Sequence, residues 1–188
     1  MIATAPRSLL PALTGARILA VPVVMALILS GPNHETAYTA AAVVFAVAAS
    51  TDFVDGYLAR RWAVTTKLGS FLDTTADKLL VTGALIALVD VGRASAWIAA
   101  IIIGRELLIL GLRGVVAADG TVFPPSIWGK LKTNVQFIAI VLAIVRWGDE
   151  LGPLRLDEWA MIAAAAITVL SALEYIARFS SALSEDVR

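Results

Sequence analysis

Asp52-Phe-Val-Asp55-Gly56-Tyr-Leu-Ala59-Arg60, eight further residues, then Gly69-Ser-Phe-Leu-Asp73-Thr-Thr-Ala-Asp77: this stretch places four carboxylates and an arginine between segments that are otherwise strongly apolar. Asp52 and Asp55 are three residues apart, and Asp73 and Asp77 are four apart. On helices each pair points one way, its members a turn apart. Two such helices facing each other would converge four acidic side chains on one pocket. A charge near the centre of a membrane helix costs roughly 2.5–3.5 kcal/mol on insertion scales, so these acids need compensation. Hard divalent cations suit carboxylate oxygen, Mg²⁺, Ca²⁺ or Mn²⁺ being the candidates, and two would match the four charges.

Composition sets the class in which this pocket must be built. Hydrophobic residues make up 59% of the 188, charged residues 16%, and mean hydropathy is +0.84. Soluble domains carry about 25% charged residues, so the expectation is an all-α integral membrane protein. Its length supplies about six spans of roughly 20 residues. The formal net charge is zero, which gives no reason to expect a nucleic-acid partner. Cysteine is absent, excluding disulfides and thiolate metal sites.

The apolar runs place spans at about 9–30, 38–60, 70–90, 95–117, 127–147 and 158–179 of one membrane-embedded domain covering 1–188. The first contains Thr14, Arg17 and Pro22 and lacks a small-residue cleavage site, so it reads as a retained span. The alanine-rich middle of the second (Ala40 to Ala49) permits close helix packing. Gly148 to Asp157 reads as a polar connection. With six spans, Arg7, Arg60, Arg61, Lys67, Arg113, Lys130, Lys132, Arg178 and Arg188 fall on one side, against Arg93, Arg146 and Arg155 on the other. Such an asymmetry puts both termini and the acidic cluster on the cytoplasmic face. The expected location is the inner membrane of a prokaryote.

Asp, two residues, Asp-Gly, two residues, Ala-Arg, eight residues, Gly, three residues, Asp, three residues, Asp is the signature of the CDP-alcohol phosphotransferases, and the chain resembles that family without a mismatch. The resemblance implies a six-helix membrane enzyme, usually a homodimer, that displaces CMP from a CDP-linked donor with an alcohol hydroxyl and two divalent ions. It makes Asp52, Asp55 and Asp73 metal ligands. Asp77 becomes the base for the acceptor hydroxyl, also able to touch the second ion.

The residue types suit that chemistry. Gly56 and Ala59 remove bulk where a nucleotide must approach the helix, and Gly69 does the same at the start of the third span. Arg60 can hold a phosphate with a forked pair of hydrogen bonds. With Asp52 and Arg17 these residues form the expected CDP site, although Arg17 could equally balance the acids. A cation-coupled transporter is the competing class, but the two halves show no matching broken helices.

Further segments resemble the phosphatidylglycerophosphate synthase branch over about residues 8–140. These are Leu13-Thr14-Gly-Ala-Arg17, Gly104-Arg105-Glu106 with Leu112-Arg113, and Trp128-Gly129-Lys130-Leu-Lys132-Thr133 with Gln136. That branch implies CDP-diacylglycerol and glycerol 3-phosphate as substrates. Arg105, Arg113, Lys130 and Lys132 supply cations for the acceptor phosphate. The lysines and Arg113 could instead anchor anionic lipid, and Arg105 could pair with Glu106. Acceptors of related enzymes, phosphatidylglycerol or inositol phosphate, remain alternatives. Five tryptophans near span ends read as interfacial anchors, His34 as an external-loop residue, and Glu174 as an i+4 partner of Arg178.

Overall fold

The computed structural model describes residues 9–62, 67–118, 127–146 and 150–186, and side chains within 14–51, 71–115, 128–129, 131–146 and 150–180. Six helices occupy the places expected of the apolar runs: α1 Leu9–Ser30, α2 Glu35–Trp62, α3 Lys67–Asp90, α4 Ala96–Ala118, α5 Ile127–Val145 and α6 Leu156–Asp186. They form two compact units, Met1–Arg93 and Ala94–Arg188.

In the first unit α1 packs against both α2 and α3. Ala41, Ala42, Ala48 and Ala49 of α2 are buried with Phe45, so the alanine run forms the packed face of that helix. α1 also comes close to α3: a Cβ on Gly83 would lie 2.8 Å from Val21 Cγ1. The α1–α2 turn is closed by Asn33 and His34 donating to Ser30 O, and His34 is exposed there. α3 ends where Gly92 adopts φ +68°, with Arg93 N donating to Leu88 O at 2.8 Å and Gly92 N to Val89 O at 3.1 Å. This paired C-terminal closure needs the left-handed residue that glycine supplies without steric cost. It turns the Arg93 guanidinium onto the Tyr38 ring, 3.3 Å from the centroid.

In the second unit α4 and α5 each pack against α6. Ile102, Ile109, Ile140, Ile144 and Met161 form its apolar core. The connection expected to be merely polar contains an antiparallel hairpin, β1 Glu150–Leu151 and β2 Leu154–Arg155, turned at Gly152 (φ +74°). α6 accordingly starts at Leu156, two residues before the expected span. Its first turn is capped by Glu158 Oε2, which accepts from Arg155 N at 2.8 Å.

Polarity is inverted relative to a water-soluble protein. Arg17, Glu106, Lys132 and Gln136 are at most 4% exposed, while Leu19 is 70% and Trp97 82% exposed. Among the described residues, Leu156–Ser180 is long and apolar enough to cross a membrane, and Thr14–Ser30 and Leu131–Val145 are shorter apolar segments. Charges break the apolar run in α2, α3 and α4, where Asp52, Asp55, Asp73, Asp77, Arg105 and Glu106 sit.

Candidate active site

α3 carries Asp73 and Asp77 one turn apart on one face, both half-buried. α2, which packs against α3, carries Asp52 and Asp55 in its C-terminal half. The side chains of Asp52, Asp55, Ala59 and Arg60 lie outside the described residues; Gly56 falls in α2 and Gly69 in the first turn of α3.

Arg17 on α1 is 1% exposed and reaches both neighbouring helices. Nη1 donates to Asp73 Oδ1 at 2.8 Å, Nη2 to Thr51 Oγ1 at 3.2 Å and Nε to Ala48 O at 3.3 Å. Thr51 is itself held by donating to Ala48 O at 2.7 Å. The guanidinium thus fixes one Asp73 oxygen. On α3, Lys78 Nζ lies 3.6 Å from Asp77 Oδ2.

The described side chains bring together no three His, Cys, Asp or Glu residues that could hold an ion, Asp52 and Asp55 lying outside them. Asp73 and Asp77 nevertheless fit a divalent cation. They are hard oxygen donors on one face, partly shielded from solvent, and one is held in place by a hydrogen bond from the buried Arg17, of the kind that orients metal ligands.

Between α1 and α2 lies a cleft of about 270 Å³ lined by Ala16, Ala20, Val43, Val47 and Ala48, with Arg17 and Thr51 also on its wall. Its walls are almost wholly apolar, and its polar residues are Arg17, which contacts Asp73, and Thr51, which accepts from Arg17.

The second unit gathers the other cations. Arg105 Nη1 lies 3.4 Å from Glu106 Oε1 and Nη2 donates to Ser171 Oγ on α6 at 2.7 Å. Lys132 Nζ from α5 donates to the same Glu106 Oε1. Arg113, exposed two turns along α4, holds its guanidinium 5.7 Å from the Tyr175 ring centroid. The Lys130 side chain lies outside the described residues. Lys132 is therefore an interior ion-pair partner, at 4% exposure not a surface anchor for anionic lipid, and Arg105 does pair with Glu106. Ser171 and Thr51 were not singled out from sequence. The available signal for Ser171 was its spacing with Thr168, three residues apart on one face of an otherwise apolar helix.

A helical chain with an acid pair on α3, an acid pair on the adjoining α2 and a buried arginine fixing one carboxylate has the outline of a nucleotide-linked phosphotransferase. The chain belongs to the CDP-alcohol phosphatidyltransferase family, whose family model matches residues 9–170. It is 38% identical over 182 residues to the CDP-diacylglycerol–glycerol-3-phosphate 3-phosphatidyltransferase of Bacillus subtilis (strain 168), covering 91% of this chain and 94% of that protein. It is 40% identical over 168 residues to a probable phosphatidylglycerophosphate synthase of Mycobacterium tuberculosis (strain H37Rv), covering 88% and 78%. The Pseudomonas fluorescens CDP-diacylglycerol–glycerol-3-phosphate 3-phosphatidyltransferase is 36% identical over 176 residues, covering 87% and 86%. The chain is thus a transferase, and nothing in these similarities favours transport.

Proposed function

We propose that this enzyme transfers a phosphatidyl group from CDP-diacylglycerol to glycerol 3-phosphate, yielding phosphatidylglycerophosphate and CMP in phospholipid biosynthesis. The observation that carries the reading is similarity over 91% of the chain to a relative bearing that activity in its name. A hydroxyl oxygen of glycerol 3-phosphate attacks the phosphatidyl phosphorus. The new P–O bond forms as the P–O bond to CMP breaks, and CMP leaves with that electron pair. Asp77 takes the hydroxyl proton. Asp52, Asp55, Asp73 and Asp77 would hold two divalent cations, Mg²⁺ first and Mn²⁺ second, which when bound neutralise charge on the pyrophosphate and the departing CMP.

Each part of the chain has a share in this reading. Gly56, Ala59 and Gly69 leave room for the nucleotide, Arg60 grips a donor phosphate, and Arg17 acts on the donor side by holding Asp73. The apolar cleft beside Arg17 suits an acyl chain entering sideways from the bilayer. Arg105, Arg113, Lys130 and Lys132 supply or support positive charge for the acceptor phosphate. Exposed leucine and valine around buried charge fits six helices crossing the inner membrane. The two units would act as one catalytic domain, in a homodimer, with termini and site cytoplasmic.

The test is CMP release by the purified protein with CDP-diacylglycerol and Mg²⁺, offering glycerol 3-phosphate, inositol phosphate and phosphatidylglycerol in turn. Release with glycerol 3-phosphate alone supports the reading. Release with either other acceptor reassigns the alcohol, and none with any acceptor overturns the reaction.

A further inference from the structure

We propose that Glu106 and Ser171 are positioning residues that aim Arg105 at the acceptor, an inference that rests on reading Arg105 as an acceptor-phosphate ligand. Arg105 is held from two helices: Glu106 beside it on α4 faces Nη1, and Ser171 on α6 accepts from Nη2. A guanidinium is planar, so fixing both terminal nitrogens fixes where Nε–H points. That Nε is buried and hydrogen-bonds to none of the described residues. Buried donors are nearly always satisfied, and one held in place without an acceptor calls for a reason, of which a ligand-binding role is one. An oxyanion seated on the Nε edge meets a planar donor fork and could take two parallel hydrogen bonds.

The aiming device is itself rigid. Glu106 is 3% exposed, and Lys132 reaches it from α5. Among the described residues α4 and α5 pack against α6 far more than against each other. The Glu106–Lys132 pair spans them, and Arg105–Ser171 ties α4 to α6 alongside it. One three-helix network therefore sets both the helix spacing and the direction of Arg105. The serine hydroxyl adds a neutral acceptor that orients the arginine without cancelling its charge.

The experiment measures separate kinetic constants for the two substrates in the purified, full-length protein, with thermal unfolding alongside. Ser171→Ala removes one tether and almost no volume. It should raise the KM for glycerol 3-phosphate about tenfold, the worth of one charge-assisted hydrogen bond. Saturated kcat and the KM for CDP-diacylglycerol should stay within about twofold, well under the effect of losing such a bond. Ser171→Thr, which keeps the hydroxyl, should restore most of the acceptor KM. Glu106→Gln should raise the same constant, and because it removes the carboxylate that Lys132 contacts it is paired with Glu106→Gln/Lys132→Met. In that double variant unfolding temperature should recover, and an acceptor KM above that of Lys132→Met alone marks the share that belongs to Glu106.

If Ser171→Ala keeps the wild-type acceptor KM while Arg105→Ala raises it, the positioning inference fails and the acceptor reading survives. If Arg105→Ala also leaves that constant unchanged, both fail. Parallel loss of both substrate affinities and unfolding temperature would make the network a structural brace and overturn the inference.

Discussion

Arg17 on α1 donates from Nη1 to Asp73 Oδ1 on α3 at 2.8 Å while its other nitrogens bind Thr51 and the carbonyl of Ala48. Of the two roles open to Arg17 from sequence, gripping donor phosphate or answering the acids, the second has its contact in the Arg17–Asp73 pair. Loss of a partner that orients a metal ligand typically costs about 10–100-fold in metal affinity or activity. Arg17→Ala should raise the Mg²⁺ concentration needed for half-maximal CMP release by that order, about 10–100-fold. It should also weaken the Mg²⁺-dependent rise in unfolding temperature of the resting protein. Arg17→Lys keeps the charge but not the fork and should fall between the two. An unchanged Mg²⁺ requirement in Arg17→Ala would separate Arg17 from the metal ligands.

Asp77 stands one turn beyond Asp73 on the same face, with the Lys78 ammonium 3.6 Å from Oδ2. A positioned general base contributes about 10²–10⁴-fold to rate, so Asp77→Asn should lower kcat by that order. Binding of CDP-diacylglycerol, measured by calorimetry with Mg²⁺ present, should hold within a few-fold. Wild-type turnover in this variant would remove the base role.

How far the sequence could be read depended on whether a feature was local. Six helices were legible because the mainly apolar stretches are of helical length and end in turn residues such as Gly31-Pro32-Asn33. The Glu174–Arg178 pair was legible for the same reason: i+4 spacing alone brings Arg178 Nη2 to 2.6 Å from Glu174 Oε1. The hairpin at 150–155 was not, because two-residue strands carry no periodicity and Gly152-Pro153 reads simply as a turn. Ser171 was hidden by chemistry. A serine in an apolar helix commonly returns its hydroxyl to its own backbone, and only the packing of α4 on α6 supplies Arg105 as its partner. The burial of Lys132 was hidden as well, since basic residues beginning a span usually snorkel to the interface. Here Glu106 draws it inward.

The closure opposite the acidic cluster offers a test of the fold alone. Tyr38 is 7% exposed, and a Cβ on Gly31 would lie 2.2 Å from its Cζ. The ring cannot easily retreat, because Arg93 lies over it at 3.3 Å. Overpacking of this kind costs about 1–3 kcal/mol. Gly31→Ala should therefore lower the unfolding temperature in detergent while leaving both substrate KM values near wild type. Combining it with Tyr38→Leu should recover part of the loss. A Gly31→Ala protein as stable as the parent would contradict the packing of Tyr38 against the α1–α2 turn.

Arg113 and Lys132, grouped from sequence as acceptor cations, should separate by experiment. Lys132 is buried in an ion pair with Glu106, so removing it takes a buried cation from a carboxylate that also faces Arg105. Lys132→Met should therefore act first on stability. Arg113 is exposed, and its contact with the Tyr175 ring at 5.7 Å is worth about 0.5–1 kcal/mol. Arg113→Ala should change unfolding temperature little yet raise the glycerol 3-phosphate KM about tenfold or more, as expected for losing a charged phosphate contact. The CDP-diacylglycerol KM should move far less. If donor affinity falls instead, Arg113 serves the donor, and the acceptor phosphate must be sought nearer Arg105.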